Sequence, residues 1–492
     1  MFARQNIITF SKLNRAVHHS LKIHVTVLAI IVSVVSGLIL SIHQNHFLNT
    51  QVAYLFPTLI ALLVIGNYFW HKGFQGLLNP TISVLTGFLL FLSAGPLLNP
   101  TSASWNVEFY TSADMYLPVV GLYSIGLCAF LFGVNIASKQ RTSIKGPHRL
   151  EFRIDLERLW LFFLAVVIIF MFCYVALSLL NGLNLLDFFF TSRYGVSQVG
   201  FSHPLSRYFE QIIRYLVISV SVLSGAILAL STQPMRRIVA LSTISICILY
   251  MLSRGVRFHF LYSIGGAILV WWHLSQKTLR PGKPLRRPWR LWLIGSMTLL
   301  FAIQMIAIRN TPGGLRTYLS NGPNLVGIQN FIDYGIDRNI AIQQALETVP
   351  SERPFIWGLS FISPFVSYIP RNMWAGKPTM LSGYMEGYTI FANPNTTFSI
   401  LGELHINFGL LGIVVGMLIA GLLAQRWQNF YLIHGTSTPV TILYAMSLPA
   451  FALFVRGDFQ AAFNSAFFPG LLVLLILNLS RPSSRYPEPS TS

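Results

Sequence analysis

RLWLFFLAVVIIFMFCYVALSLL, residues 158–180, carries a single charge, on its first residue, and is apolar on every helical face. About 20 such residues suffice for a helix to cross the hydrocarbon core of a bilayer, so this stretch has membrane-spanning length. Runs of the same kind recur near 22–42, 52–70, 77–98, 115–137, 209–230, 236–252, 256–274, 290–308, 400–424, 438–456 and 460–480. The chain therefore reads as an all-α polytopic membrane protein with about 12 transmembrane helices. Arg4, Lys12, Arg15 and Lys22 precede the first run in the manner of a signal peptide. The run is long, however, and no small-residue cleavage site follows, so it reads as the first span.

Composition agrees. Of 492 residues, 53% are hydrophobic and 10% charged, against roughly 25% charged in a soluble protein. That excludes a soluble cytosolic enzyme and any disordered or collagenous chain. Cys128, Cys173 and Cys247 all lie in apolar runs, so neither a disulfide framework nor a zinc site is encoded.

Lys and Arg collect on the cytoplasmic side of membrane proteins. With the N-terminus inside and loops assigned alternately, the inner face receives 22 basic and 4 acidic residues, and the outer face 12 and 11. Both termini are then cytoplasmic. The net charge of +19 becomes an orientation signal beside anionic lipid, and no nucleic-acid partner is needed to explain it.

Two outer loops are long, 181–208 and 309–399. The organisation is thus transmembrane helices over 1–308, a large outer cap over 309–399, further spans over 400–480 and a tail over 481–492. Ile328, Phe331, Ile332, Ile336, Ile340 and Ala345 recur at helical spacing, which predicts an amphipathic helix closed by Pro350 and Pro354. Outer-face cations are 11 Arg and one Lys, Lys377, whereas the inner face has seven Lys. Arg presents a planar fork of donors that matches phosphate oxygens. Arg254 and Arg257 in SRGVRF (253–258) and Arg456 in FVRGDF (454–459) join apolar spans with almost no loop, and Arg214 lies a turn inside its span. Charges in such positions persist where they face a polar cavity. A turn ion pair of Arg456 with Asp458, or Arg254 and Arg257 reaching lipid phosphates, would also account for them.

General bases are few on the outer face. Glu403 and His405 in GELHINFG (402–409) stand where the cap enters the tenth span and, two residues apart, point to different sides of a helix. Either could accept a proton from a substrate hydroxyl; Glu403 could instead pair with an Arg and hold the helix entrance. Asp333 and Asp337 read as a solvated helix face. No metal-binding pair, Walker motif or GxGxxG fingerprint occurs.

SRGVRF at 253–258, IPRNMWAGKP at 369–378, GELHINFGLLG at 402–412 and the RG at 456–457, in that order, resemble the Wzy-type O-antigen polymerase (oligosaccharide repeat-unit polymerase) family. They cover about half the chain; the first half is similar only in hydropathy. The ten-residue gap between Arg316 and Gly327 also looks like a spacing of that family's outer loops, without a second copy from Arg193 or Arg207. The resemblance implies a GT-C-like membrane glycosyltransferase of the bacterial inner membrane, active on the periplasmic face. Its substrates are oligosaccharide repeat units on undecaprenyl pyrophosphate, its product is surface polysaccharide (O-antigen or capsule), and it needs no cofactor. A chain-length-determining co-polymerase is the implied partner.

That chemistry assigns candidate roles. Arg254, Arg257, Arg371, Arg456 and Lys377 would bind the pyrophosphate leaving group. Glu403 first and His405 second would activate the acceptor hydroxyl. Arg316, Tyr368, Trp374, Tyr384 and Tyr388 would bind glycan, and no metal is called for. Two rivals remain: an O-antigen ligase using the same donor, and a transporter or flippase of lipid-linked glycans. Transporters show internal repeats and midplane polar residues, whereas these halves are dissimilar and their polar residues gather at one face.

Overall fold

The computed structural model describes residues 46–72, 76, 78–98, 116–139, 154–182, 184, 204–254, 257–278, 296–298, 300, 304–305, 308, 317–318, 320, 339–366, 369, 373–374, 376–378, 381–385 and 398–482. No strand occurs among them. In chain order the principal helices are α1 (His46–Lys72), α2 (Pro80–Phe88), α3 (Tyr116–Lys139), α4 (Leu156–Leu180), α5 (Pro204–Leu230) and α6 (Pro234–Arg254). They continue with α7 (Gly266–Thr278), α8 (Asn339–Thr348), α9 (Leu359–Val366), α10 (Ile400–His434), α11 (Thr438–Phe454) and α12 (Phe459–Leu479). Seven of them, α1, α3, α4, α5, α6, α10 and α12, contain stretches long and apolar enough to cross a bilayer. Pro80–Ser93 and α11 are apolar but shorter. The run at 22–42 lies outside the described residues, and that at 290–308 is described only in fragments.

α10 runs ten residues beyond the span read over 400–424. Polar residues that signal an end in the sequence are satisfied here by packing: Gln425 Nε2 donates to Asn429 Oδ1 at 2.9 Å, and Asn429 Nδ2 donates to the Ala137 carbonyl at 3.2 Å. The amphipathic helix of the cap is described as α8, from Asn339 to Thr348; residues 328–338 lie outside the described residues.

The chain divides into two compact units, one of residues 1–145, 332–429 and 454–460, the other of residues 146–331, 430–453 and 461–492. In the first, α1 packs on α2 and α3, and α3 crosses α10 at two facing glycines. A Cβ at Gly133 would run into the Leu418 carbonyl oxygen, and one at Gly421 into that of Phe130. Small residues allow this close backbone approach, which supplies packing where lipid gives no hydrophobic drive. Gly133→Leu is therefore expected to cost more than about 3 kcal/mol, the upper end for overpacking, because the obstacle is backbone. Gly121→Leu, on the same helix with nothing within 4 Å, is the matched control. Thermal unfolding in detergent should show a lower midpoint for the first variant and an unchanged one for the second.

In the second unit α5 is central and packs on α4, α6 and α7. Ser263 and Ser221 hydrogen-bond at 2.8 Å across the α5–α7 side. Arg214 is ion-paired with Glu210 one turn before it on α5, a local partner for a charge inside an apolar helix. At one end of this unit Asp155 caps α4, accepting from the Glu157 amide at 2.9 Å, and its own amide donates to the Ser480 carbonyl at 2.8 Å. Arg236 pairs with Glu157 and lies 5.6 Å over the Trp160 ring. Three segments that the charge count assigns to one face, before α4, before α6 and after α12, thus lie together.

Candidate active site

The site is built around a broken helix. Ser399 starts α10, its hydroxyl accepting from the Leu401 amide at 3.2 Å and its carbonyl from the Glu403 amide at 2.9 Å. Ten residues later Gly409 has φ 65° and ψ −152°, a region open essentially to glycine alone. The 400–408 arm consequently doubles back on the helix that follows: a Cβ at Gly412 would lie 2.5 Å from the Leu404 carbonyl oxygen. In a continuous helix those positions are two turns apart.

The arm presents Glu403, which is 1% exposed. Its Oε1 accepts from the Ser360 hydroxyl of α9 at 2.5 Å, and its Oε2 from the Phe459 backbone N–H. Phe459 is the first residue of α12, so this carboxylate satisfies one of the amides that a helix start leaves unpaired. Asn407, one turn along the arm, fixes the same junction. Its Nδ2 donates to Ser360 Oγ at 2.7 Å and to the Glu403 carbonyl at 2.8 Å, while its Oδ1 accepts from the Gly358 amide at 2.8 Å. Beside it, Ser363 Oγ donates to Gln460 Oε1 at 2.7 Å. Arm, α9 and the start of α12 are thereby tied at one point.

The turn before α12 adds charge to that point. Arg456 and Asp458 are 6% and 9% exposed, and Asp458 immediately precedes the amide held by Glu403. The Arg456 guanidinium lies 5.9 Å from the centroid of the Phe91 ring, within cation–π range. Phe91 belongs to a wider π-type turn, Leu89–Ser93, that continues α2, and the next residue's carbonyl, Leu92, accepts from Asn339 Nδ2 of α8 at 2.9 Å. Such turns, in which the ladder slips by one residue, recur at functional sites. Around the Phe459 amide the chain thus buries the Glu403 and Asp458 carboxylates and, three residues earlier, the Arg456 guanidinium, with little water to compete.

His405 points elsewhere, as its spacing from Glu403 requires. Its Nε2 donates to the Val349 carbonyl at 2.9 Å, which leaves Nδ1 as the acceptor of the neutral ring. That atom is buried with no hydrogen-bond partner among the described residues. Lys377 Nζ donates to the Ile369 carbonyl at 2.6 Å, and Trp374 is 42% exposed. Tyr384 donates to the Pro354 carbonyl at 2.5 Å with Arg353 5.0 Å over its ring, which holds the cap's own fold together.

Of the residues singled out in the sequence, Glu403 is bonded to the first amide of α12, and Arg456 is buried in the turn just before it. Arg316, Arg371, Tyr368 and Tyr388 lie outside the described residues, as do the side chains of Arg254, which ends α6, and Arg257, just beyond it. The sequence reading missed Ser360, Asn407, Gln460, Asn339 and Phe91. Asn407 had a signal, the four-residue spacing that puts it on the Glu403 face. Phe91 had none, since it sits in an ordinary apolar run far from the similar segments.

No curated protein and no solved structure matches this chain. Residues 395–482 match the family model described as O-antigen polysaccharide polymerase Wzy. The matched segment holds the Glu403 arm, the Gly409 break, the Arg456–Asp458 turn and α12, and through it the resemblance to the Wzy-type O-antigen polymerase family is shown.

Proposed function

We propose that this protein is a glycosyltransferase of the bacterial inner membrane that polymerises undecaprenyl-pyrophosphate-linked oligosaccharide repeat units into surface polysaccharide at the periplasmic face. The observation that carries this reading is the coincidence of the family match over 395–482 with the buried Glu403–Arg456–Asp458 junction. In the reaction an acceptor sugar hydroxyl attacks the anomeric carbon of the donor glycan. The bond from that carbon to pyrophosphate oxygen breaks, and the lipid pyrophosphate leaves with the bonding pair. The hydroxyl proton passes to a base.

Glu403 is the base in this reading. A carboxylate has about four lone-pair sites, and among the described residues two are taken, by Ser360 and Phe459. The remaining sites can accept the substrate proton while the two bonds fix the group's orientation. His405, with its unpaired Nδ1, stands second. Arg456 supplies a fixed positive charge for the leaving pyrophosphate, and Arg254, Arg257, Arg371 and Lys377 are the other cations proposed for that role. Arg316, Tyr368, Trp374, Tyr384 and Tyr388 are the residues proposed to bind glycan. The energy resides in the glycosyl pyrophosphate bond, so no nucleotide enters, and a co-polymerase sets chain length.

Deletion of the gene followed by gel display of surface glycan tests the reading. Collapse of the ladder to a single repeat unit is the expected result. Loss of all surface polysaccharide with polymer accumulating on the lipid carrier would make the protein a ligase.

A further inference from the structure

The doubled-back arm leaves a groove beside it that the chemistry above does not use. Its volume is about 490 Å³, and none of its thirteen lining residues has a polar side chain. Leu411, Val415, Ile419 and Leu423 line it at four-residue spacing along one face of α10. That face is about 18 Å long at 1.5 Å per residue. Gly412, Gly416 and Ala420 line it beside that face; a Cβ at Gly412 or Gly416 would meet Leu404 of the arm, so the two glycines let the arm, whose Leu404 also lines the groove, lie close. The groove thus follows a helix of membrane-spanning length.

One end of the groove is continuous with the polar junction. Leu404, Phe361 and Phe459 line it, and each is the chain neighbour of a junction residue, Glu403, Ser360 and Asp458 respectively. The Glu403 carboxylate bonds to the backbone amide of Phe459, whose ring faces the groove. A molecule with one long hydrocarbon chain and a polar anionic head would therefore lay its chain along 411–423 and place its head at the Glu403–Arg456 end. A free fatty chain or a phospholipid would gain the same apolar contact without needing that register.

We propose that this groove is the seat of the polyprenyl chain of a lipid-linked glycan, holding the pyrophosphate end of the substrate at the junction. The proposal rests on the polymerase reading for its head group, and it assigns the chain to named residues that the reading leaves open. Apolar burial supplies the binding, so affinity depends on chain length.

Two variants fill the groove without touching the polar junction, Ile419→Trp and Ala420→Phe. Val414→Trp adds the same bulk at an exposed position of α10 outside the groove and is the control. The first measurement is binding of a fluorescent undecaprenyl phosphate to the purified full-length protein in nanodiscs, competed by unlabelled undecaprenyl phosphate, geranyl phosphate or phosphatidylglycerol. Undecaprenyl phosphate should compete far better than the other two. Both groove variants should weaken binding at least about tenfold, the equivalent of withdrawing roughly two buried methylene groups, and the control should match the parent. Equal competition by phosphatidylglycerol, or parent-like binding in both groove variants, would overturn the proposal. The second measurement is chain growth from undecaprenyl-linked and geranyl-linked repeat units. Groove variants should lose rate on the long-chain substrate and keep it on the short one; equal losses on both would also overturn the proposal. Selective binding without chain growth on either substrate would leave the groove standing and remove the polymerase reading.

Discussion

Glu403→Gln is expected to lower polymer formation by roughly 10²–10⁴-fold, the usual worth of a positioned base, with the protein still at its normal level. The amide is nearly the same shape. Its carbonyl can accept from the Phe459 N–H, and its NH₂ can donate to Ser360 Oγ, so the junction keeps its two ties. What it loses is the capacity to take a proton. Glu403→Ala is different in kind, since it strands the Ser360 hydroxyl and the Phe459 amide in a buried site. Each orphaned group costs about 1–3 kcal/mol, so this variant should lose folded protein as well as activity. The check is in vivo chain length on gels together with immunoblot of the membrane fraction for both variants. Near-normal chains from Glu403→Gln would reduce the residue to the tie between α9, the arm and α12.

Arg456→Lys is expected to fail almost as completely as Arg456→Ala, with a loss of about 10²–10³-fold in polymer formation, the range for removing one preorganised donor to a developing negative charge. Lysine keeps the charge but replaces a planar fork by a single ammonium on a flexible stem. The guanidinium is nine-tenths buried and stacked toward Phe91, and an ammonium there is both harder to desolvate and aimed along one line only. Measured in membranes with saturating lipid-linked repeat units, the defect should appear in the maximal rate. A lysine variant with the parent's rate would mean that Arg456 serves the turn and not the leaving group.

The membrane spans were legible because apolar length is a local property. The run at 158–180 corresponds to Leu156–Leu180, that at 209–230 to Tyr208–Leu230, and that at 460–480 to Phe459–Leu479. The end of α10 was misplaced because Gln425 and Asn429 find partners within the protein, which no local count reveals. The Gly409 break was equally invisible: glycine is common in this chain, and only the backbone angle distinguishes the position that folds the arm back. At the site, charge rarity on an apolar background drew attention to Glu403 and Arg456, and the fold buries both beside the start of α12. Ser360, Gln460 and Phe91 are ordinary residues whose importance comes from what meets them across tens to hundreds of positions of sequence, so spacing could not single them out.

The central claim is that the junction transfers glycan from one lipid carrier to another. Purified protein supplied with a single lipid-linked repeat unit measures this most directly, by mass spectrometry of the lipid-linked products. The account predicts carriers bearing two and more repeat units, matched by release of lipid pyrophosphate, and a loss of both products in Glu403→Gln. Unchanged single units in the presence of correctly folded parent protein, or extension that proceeds equally in Glu403→Gln and Arg456→Lys, would contradict it.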